Sequence, residues 1–96
     1  HAAHTVRRRR AGEEQRRARA ARGHKARISA LETQIAEREE AIKAIEASMA
    51  LPGFYDDREA ARVAIGRHQT LMWEVGDLMH RWEELQTSGP SEVLLD

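Results

Sequence analysis

The apolar positions of this sequence recur in two long runs that alternate steps of three and four residues. The first run consists of Ile28, Leu31, Ile35, Arg38, Ile42, Ile45 and Met49. The second run consists of Ala61, Ala64, His68, Leu71, Val75, Leu78, Trp82 and Leu85. This spacing places each set of side chains on one stripe of an α-helix. The pattern therefore predicts two amphipathic helices, the first with one charged interruption at Arg38.

A turn-forming segment, residues 50–57, separates the two runs. Pro52 disfavours helix in the residue before it, and Gly53 tolerates a tight turn. Asp56 or Asp57 can then cap a second helix. Two helices joined by so short a loop lie side by side and antiparallel.

The register of the pairing follows from simple arithmetic. Folding about the loop opposes Met49 with Ala61 and, near the far end, Ile28 with Trp82; the position numbers of every opposed pair add to 109 or 110. The two seams therefore match without a slip. The predicted fold class is all-α, a two-helix antiparallel coiled-coil hairpin with a basic N-terminal helical extension. Its predicted parts are a basic arm or linker at 1–27, the hairpin at 28–87 and a disordered tail at 88–96.

A second apolar row lies beside the seam on the second helix, one residue per heptad: Ile65, Met72 and Met79. In an antiparallel pair it faces the equivalent row of the first helix: Glu32, Glu39 and Glu46. Two helices cannot cover this apolar row completely. Either the glutamate methylenes and the flexible methionines widen the core, or the row docks another domain or a second copy.

Composition narrows the class of protein. Hydrophobic residues make up 41% of the chain and charged residues 33%, with few aromatics, which is typical of long helices. The absence of cysteine excludes disulfides and thiolate metal sites. No apolar run is long enough to span a membrane, and no signal peptide is recognisable. We therefore expect a cytoplasmic protein without membrane contact. Because the chain begins with histidine, we expect it to be a fragment or a processed piece.

The net charge of zero hides a strong asymmetry along the chain. Residues 1–27 carry ten bases and two acids, whereas residues 28–96 carry six bases and fourteen acids. The ten bases are Arg7, Arg8, Arg9, Arg10, Arg16, Arg17, Arg19, Arg22, Lys25 and Arg27. Arginine presents a two-pronged donor to phosphate, and the lack of aromatic residues in this arm favours contact with the nucleic-acid backbone over base stacking. The alternative is a solvated, arginine-rich linker.

No catalytic or cofactor site is recognisable in the sequence. Phosphate-binding loops of the G-x-x-x-x-G-K-[ST] and G-x-G-x-x-G types are missing, and the five histidines are dispersed. His68 is expected to be a tolerated core histidine, and His80 to form a solvated charge pair with Asp77 or Glu84. We therefore predict no catalytic residue, no metal site and no cofactor in this chain, and no enzymatic activity of its own.

Residues 28–87 resemble the C-terminal coiled-coil domain of the ABC-F ATPases, proteins with two ATP-binding cassettes and no membrane part. Three stretches carry the resemblance: ISALETQIAEREEAIKAIEASMA, LPGFYDDREAA and LMWEVGDLMHRWEELQ. The family's Tyr-x-Asp at the turn is matched by residues 55–57, and its closing Trp-Glu-x-Leu by residues 82–85. The Lys-Leu-Ser-(Tyr/Phe)-Lys-Glu signature of the family's linker is missing from the arm.

The resemblance implies a parent protein that hydrolyses ATP with Mg²⁺ and acts on the ribosome in translation, although none of the ATPase residues lies in this chain. We expect a non-catalytic accessory hairpin that contacts ribosomal RNA or DNA phosphates through its arm, with the ribosome and the parent's ATPase domains as further partners. The alternative is a structural coiled coil that binds protein or forms a homodimer through Ile65, Met72 and Met79. Phe54 and Tyr55 at the turn either contact a partner or cover the end of the seam.

Overall fold

A computed structural model describes residues 2–91 as two long α-helices joined by a short connection. Helix α1 spans Ala2–Met49 and helix α2 spans Arg58–Ser88, with a single 3₁₀ turn at Phe54–Asp56 between them. No strand occurs within these residues, so the predicted all-α hairpin is confirmed. The predicted disordered tail falls mostly on residues 92–96, which lie outside the described residues, as does His1.

Helix α1 is one uninterrupted element of 48 residues. Alanine, arginine and glutamate, which have high helix propensity, dominate its sequence and offset the cost of two internal glycines. The predicted boundary between arm and hairpin, at residues 27 and 28, therefore lies inside a continuous helix. The basic arm is a direct extension of the first hairpin helix.

The connection between the helices has the conformation that its glycine and aspartate residues favour. The Leu51 amide donates to the carbonyl of Ser48 at 3.1 Å, which closes the last turn of α1. Gly53 adopts a left-handed conformation with φ of 82°, which favours glycine because it has no Cβ. The Asp57 carboxylate then accepts a hydrogen bond from the Ala60 amide at 3.1 Å and caps α2.

The two helices meet along the predicted seam. The buried side chains Ile42, Ala61, Leu71 and Leu78 all occupy seam positions. The remaining seam positions are half-buried, while most neighbouring positions are exposed. This alternation agrees with the register derived from the sequence. The core is a single line of side chains, because two helices have only one contact stripe to share.

Arg38 is the charged interruption of the seam, and its side chain turns toward the edge of the hairpin. Its Nε lies 3.4 Å from a carboxylate oxygen of Glu74 on α2, and its Nη1 donates to the carbonyl of Gln34 at 3.4 Å. The buried Nε has no hydrogen-bond partner among the described residues, so its contact with Glu74 is one of charge rather than of directed bonding. Arg38 thus pairs the two helices electrostatically at the one charged position of the first seam.

The hairpin is an elongated rod of 82 × 19 × 16 Å. In the register derived from the sequence, the end of α2 at Ser88 lies level with residues 21 and 22 of α1. Residues 2–21, which we call the projecting segment, therefore extend roughly 30 Å beyond the end of α2, at 1.5 Å per residue. Neither helix in the described part of the chain combines the length and the apolar character needed to cross a membrane.

We predict that Leu71→Ala destabilises the hairpin by about 2–5 kcal/mol, since Leu71 is only 1% exposed and no second layer of core can fill the space. Chemical denaturation followed by circular dichroism measures the change. Val63→Ala on the same helix is the matched control, because Val63 is 56% exposed and its truncation should cost far less. Equal losses for the two variants would contradict the seam.

Candidate nucleic-acid interface

All ten bases of the predicted nucleic-acid-binding set lie on α1. Nine of them are exposed and Arg27 is half-buried. Seven of the nine arginines, Arg7 to Arg10 together with Arg16, Arg17 and Arg19, lie on the projecting segment. The structure therefore brings most of the set together on a stretch of helix that no other described element flanks.

The bases of the projecting segment surround the helix instead of forming a stripe. Successive residues of an α-helix are turned by about 100°. Arg7, Arg8, Arg9 and Arg10 therefore point in four directions that cover the whole circumference, and Arg16 and Arg19 extend the same pattern one to two turns later. A helix charged on every side can be contacted by phosphates from several directions at once.

The positive charge of this segment is poorly compensated within the chain. The first turn of α1 contains no acidic residue, and the helix dipole already makes this end positive. Among residues 2–91, no ion-pair partner is found for the following side chains: Arg8, Arg9, Arg10, Arg16, Arg17, Arg19, Arg22 and Lys25. Anions bound along the segment would relieve both the mutual repulsion and the unfavourable dipole interaction.

The predicted docking row on α2 is only partly covered. Ile65 is half-buried, whereas Met72 is 53% exposed and Met79 45% exposed. We call these three residues the methionine face. The acidic row beside it is partly engaged: Glu46 lies 3.0 Å from His68 Nε2, and Glu32 accepts a hydrogen bond from the Trp82 indole at 3.1 Å.

The two aromatic residues of the turn have different environments. Phe54 is half-buried, and Tyr55 is 62% exposed. Their rings meet edge to face with centroids 4.8 Å apart. Phe54 thus shields the turn end of the hairpin, and Tyr55 presents an aromatic surface outward.

Several charged side chains of α2 pair with a neighbour three or four residues away on the same helix. His80 Nε2 lies 3.2 Å from Glu84, while Asp77 pairs with Arg81 at 2.9 Å. In the first turn, the Arg62 guanidinium 2.6 Å from Glu59 lowers the pKa of that carboxyl and raises the pKa of Arg62. Across residues 2–91, no three histidine or acidic side chains converge in the way a metal ion requires.

Trp73 is an exposed aromatic residue that sequence reasoning missed. It is 71% exposed on the outer face of α2, beside a shallow hollow that includes Gln69 and Thr70. The sequence did contain a signal for this exposure, because the heptad position of Trp73 places it on the side of α2 away from the seam. A tryptophan there cannot join the core of a two-helix hairpin, and so it is a further candidate contact residue.

We predict that Gly12→Ala increases the helical signal at 222 nm without raising the unfolding midpoint of the hairpin. Gly12 lies in the projecting segment, where an added Cβ would meet only the Arg16 guanidinium at an ordinary 3.6 Å. The segment lies beyond the seam, so a gain of about 1 kcal/mol in helix propensity acts locally. Circular dichroism of the dilute chain measures both quantities.

Gly66→Ala is the matched control, because Gly66 lies in α2 with open space around it and its helix is coupled to the seam. This variant should raise the free energy of unfolding of the hairpin by roughly 1 kcal/mol. A midpoint increase with Gly12→Ala equal to that with Gly66→Ala would contradict the independence of the projecting segment. An unchanged helical signal would contradict its helical state.

Comparison with known proteins identifies the hairpin. The family described as ABC transporter C-terminal domain matches residues 19–87, which is 69 of the 96 residues. The matched region contains nearly all of α2, the connection and α1 from Arg19 onward. No curated protein and no solved structure matches the chain. The chain is therefore an ABC-transporter-related helical domain, and it belongs to the ABC transporter C-terminal domain family.

Proposed function

We propose that this hairpin is a non-catalytic accessory arm of an ABC-F-like ATPase that grips nucleic-acid phosphates through the basic residues of α1. The observation that carries the proposal is the projecting segment, a helix with arginines on every side and no flanking element. Its charge has few partners within the hairpin, and phosphate is the anion that arginine binds most specifically.

The ABC-F assignment is supported by the roles of the residues that resemble that family. Asp57 of the turn motif caps α2 through the Ala60 amide. Trp82 and Leu85 of the closing motif occupy seam positions, and the Trp82 indole donates to Glu32 across the hairpin. Both motifs therefore fasten the hairpin, which is the feature expected of this accessory domain. ATP and Mg²⁺ would be bound by the parent's cassettes, outside this chain.

The continuity of α1 gives the proposed arm a mechanical role. One helix of 48 residues joins the projecting segment to the paired part of the hairpin, so displacement at one end moves the other. Phosphates held at the arm would thus be rigidly linked to any surface that holds the hairpin, such as the parent's ATPase domains. In the ribosome-directed version of this proposal, the arm enters a cleft lined by ribosomal RNA.

The proposed recognition reads the backbone and shape of the nucleic acid. Residues 1–27 contain no phenylalanine, tyrosine or tryptophan that could stack on bases. Phosphate contacts fix position without reading sequence, and they release counterions, so affinity falls steeply with salt. RNA and DNA share this chemistry, and a comparison of the two substrates distinguishes them.

A second candidate function is a protein–protein or dimerisation module. It is favoured by the exposure of Met72 and Met79, two large apolar side chains one heptad apart on one helix face. In this function the arginines serve as a solvated linker, and binding to nucleic acid is weak and independent of the projecting segment.

We predict that the full chain binds structured RNA or duplex DNA with an affinity that falls steeply as salt rises. Arg9→Gln combined with Arg10→Gln should weaken binding roughly tenfold or more, through the loss of two charge-assisted contacts. The slope of log affinity against log salt should become shallower by about 0.9 per lost contact on duplex DNA. Fluorescence anisotropy titrations over a range of salt concentrations measure both effects.

Arg58→Gln combined with Arg67→Gln is the matched control. These two arginines are exposed on α2, form no ion pair among the described residues, and remove the same charge from the chain. The control variant should retain nearly the whole affinity and slope. Equal losses with both variants, or binding that ignores salt, would overturn the nucleic-acid function and leave the protein–protein candidate.

A further inference from the structure

The methionine face of α2 is an apolar surface that the hairpin does not cover. Met72 and Met79 are about half exposed, and Ile65 continues the row toward the turn. The three residues are spaced one heptad apart, so the row is roughly 21 Å long. Only a partner of similar length and straightness, such as another helix, could cover all of it.

A groove runs between this face and the neighbouring row of α1. It has a volume of about 480 Å³ beside Met72, and Ile42 and Val75 are among its lining residues. Its edge carries Glu39 and a Glu40–Lys43 ion pair with an N–O distance of 3.7 Å. Glu39 has no hydrogen-bond or ion-pair partner within residues 2–91, whereas its heptad neighbours Glu32 and Glu46 are held by α2. The groove therefore combines an apolar floor with one unpaired carboxylate, Glu39, at its edge. A complementary helix needs small side chains along one row and bases on either side of that row.

The basic arm has small side chains with bases on either side of them. The small side chains lie in the heptad row of α1 that contains Glu32, Glu39 and Glu46 further along the helix. Ala11 and Ala18 occupy the row that becomes Glu32 and Glu39 further along the helix, and both alanines are exposed. Arg7, Arg8 and Arg22 lie one helical turn from these alanines, within reach of a carboxylate edge. Each chain thus contains both a groove and a helix that fits it. The arm cannot fold back onto its own groove, because α1 is straight and continuous.

We propose that the methionine face binds the basic arm of a second copy, in a two-fold symmetric, antiparallel dimer in which each arm lies in the groove of its partner. In this dimer two copies of α1 lie antiparallel, with Lys25 of one copy opposite Lys25 of the other. The residue numbers of any two residues that face each other in this row therefore add to 50. Ala11 then lies opposite Glu39, and Ala18 opposite Glu32. Because Met72 and Met79 border those two glutamates, each alanine also meets a methionine.

Charge and surface area both favour a second copy as the occupant. Residues 1–27 carry ten bases and two acids, a net charge of +8, and residues 28–96 carry six bases and fourteen acids, a net charge of −8, so an antiparallel dimer places the basic arm of each copy beside the acidic hairpin of the other. The chain exposes 7700 Å², whereas a compact monomer of its mass exposes about 5,600 Å². The excess is more than the roughly 800 Å² per partner buried in an ordinary stable interface.

Sedimentation velocity of the nuclease-treated full chain tests the proposal in the absence of nucleic acid, so its outcome is separate from that of the proposed function. We expect a monomer–dimer equilibrium in the micromolar range that shifts toward monomer as salt rises. Met72→Glu combined with Met79→Glu should raise the dimer dissociation constant at least tenfold while leaving the helical signal intact. Val63→Glu, at an exposed apolar position on another side of α2, should leave the equilibrium unchanged.

Cross-linking tests the register. The chain has no cysteine, so Lys25→Cys introduces a unique thiol at the position that opposes itself across the two-fold axis. A short bis-maleimide should convert this variant to a covalent dimer. Arg16→Cys is the control: its two thiols would be roughly 27 Å apart along the helix axis and should not cross-link. A chain that stays monomeric at high micromolar concentration, equal effects of the methionine and Val63 variants, or equal cross-linking at positions 16 and 25 would each overturn the proposal.

Discussion

The single seam between α1 and α2 is the constraint on which the rest of the molecule depends. Two helices share only one contact stripe, and here the stripe buries just Ile42, Ala61, Leu71 and Leu78. Every other face is left to solvent, and a rod of 82 × 19 × 16 Å has a large surface for its volume. A small core of this kind provides limited stability. The two surfaces proposed to bind partners accordingly lie outside it, in the projecting segment and on the methionine face.

Both features are surfaces that the single seam leaves uncovered. Because α1 is longer than α2, residues 2–21 project beyond the seam and keep their charge without compensation from the hairpin. Because α2 has an apolar row outside the seam, Met72 and Met79 remain half exposed. A polyanion and the acidic groove of a second copy would both neutralise the arm, and they cannot occupy the same arginines at once. In the proposed account, nucleic acid and self-association therefore compete for one segment.

Most of the fold could be predicted from the sequence, because a heptad pattern encodes both the helix faces and their register. Pairing residues whose numbers add to 109 or 110 placed Met49 opposite Ala61. The seam positions predicted in this way are the buried and half-buried ones in the structure. The continuity of α1 through residues 27 and 28 was harder to predict. The sequence changes there from an arginine-rich segment to a heptad seam, which resembles a domain boundary, although the helix propensity stays high. The contacts of Glu32 and Glu46 with α2, and the outward position of Trp73, depend on side-chain geometry that periodicity does not contain.

The central claim is that α1 is divided into a paired part, stabilised by the seam, and a projecting part that only a partner stabilises. Amide hydrogen exchange measured by mass spectrometry tests it most directly, for the dilute chain, the concentrated chain and the chain with structured RNA. The account predicts fast exchange over residues 2–21 in the dilute chain and slow exchange over residues 28–49 in all three samples. It further predicts that protection of residues 2–21 appears with either partner. Protection of those residues that is already complete in the dilute chain and unchanged by concentration or RNA would contradict the account.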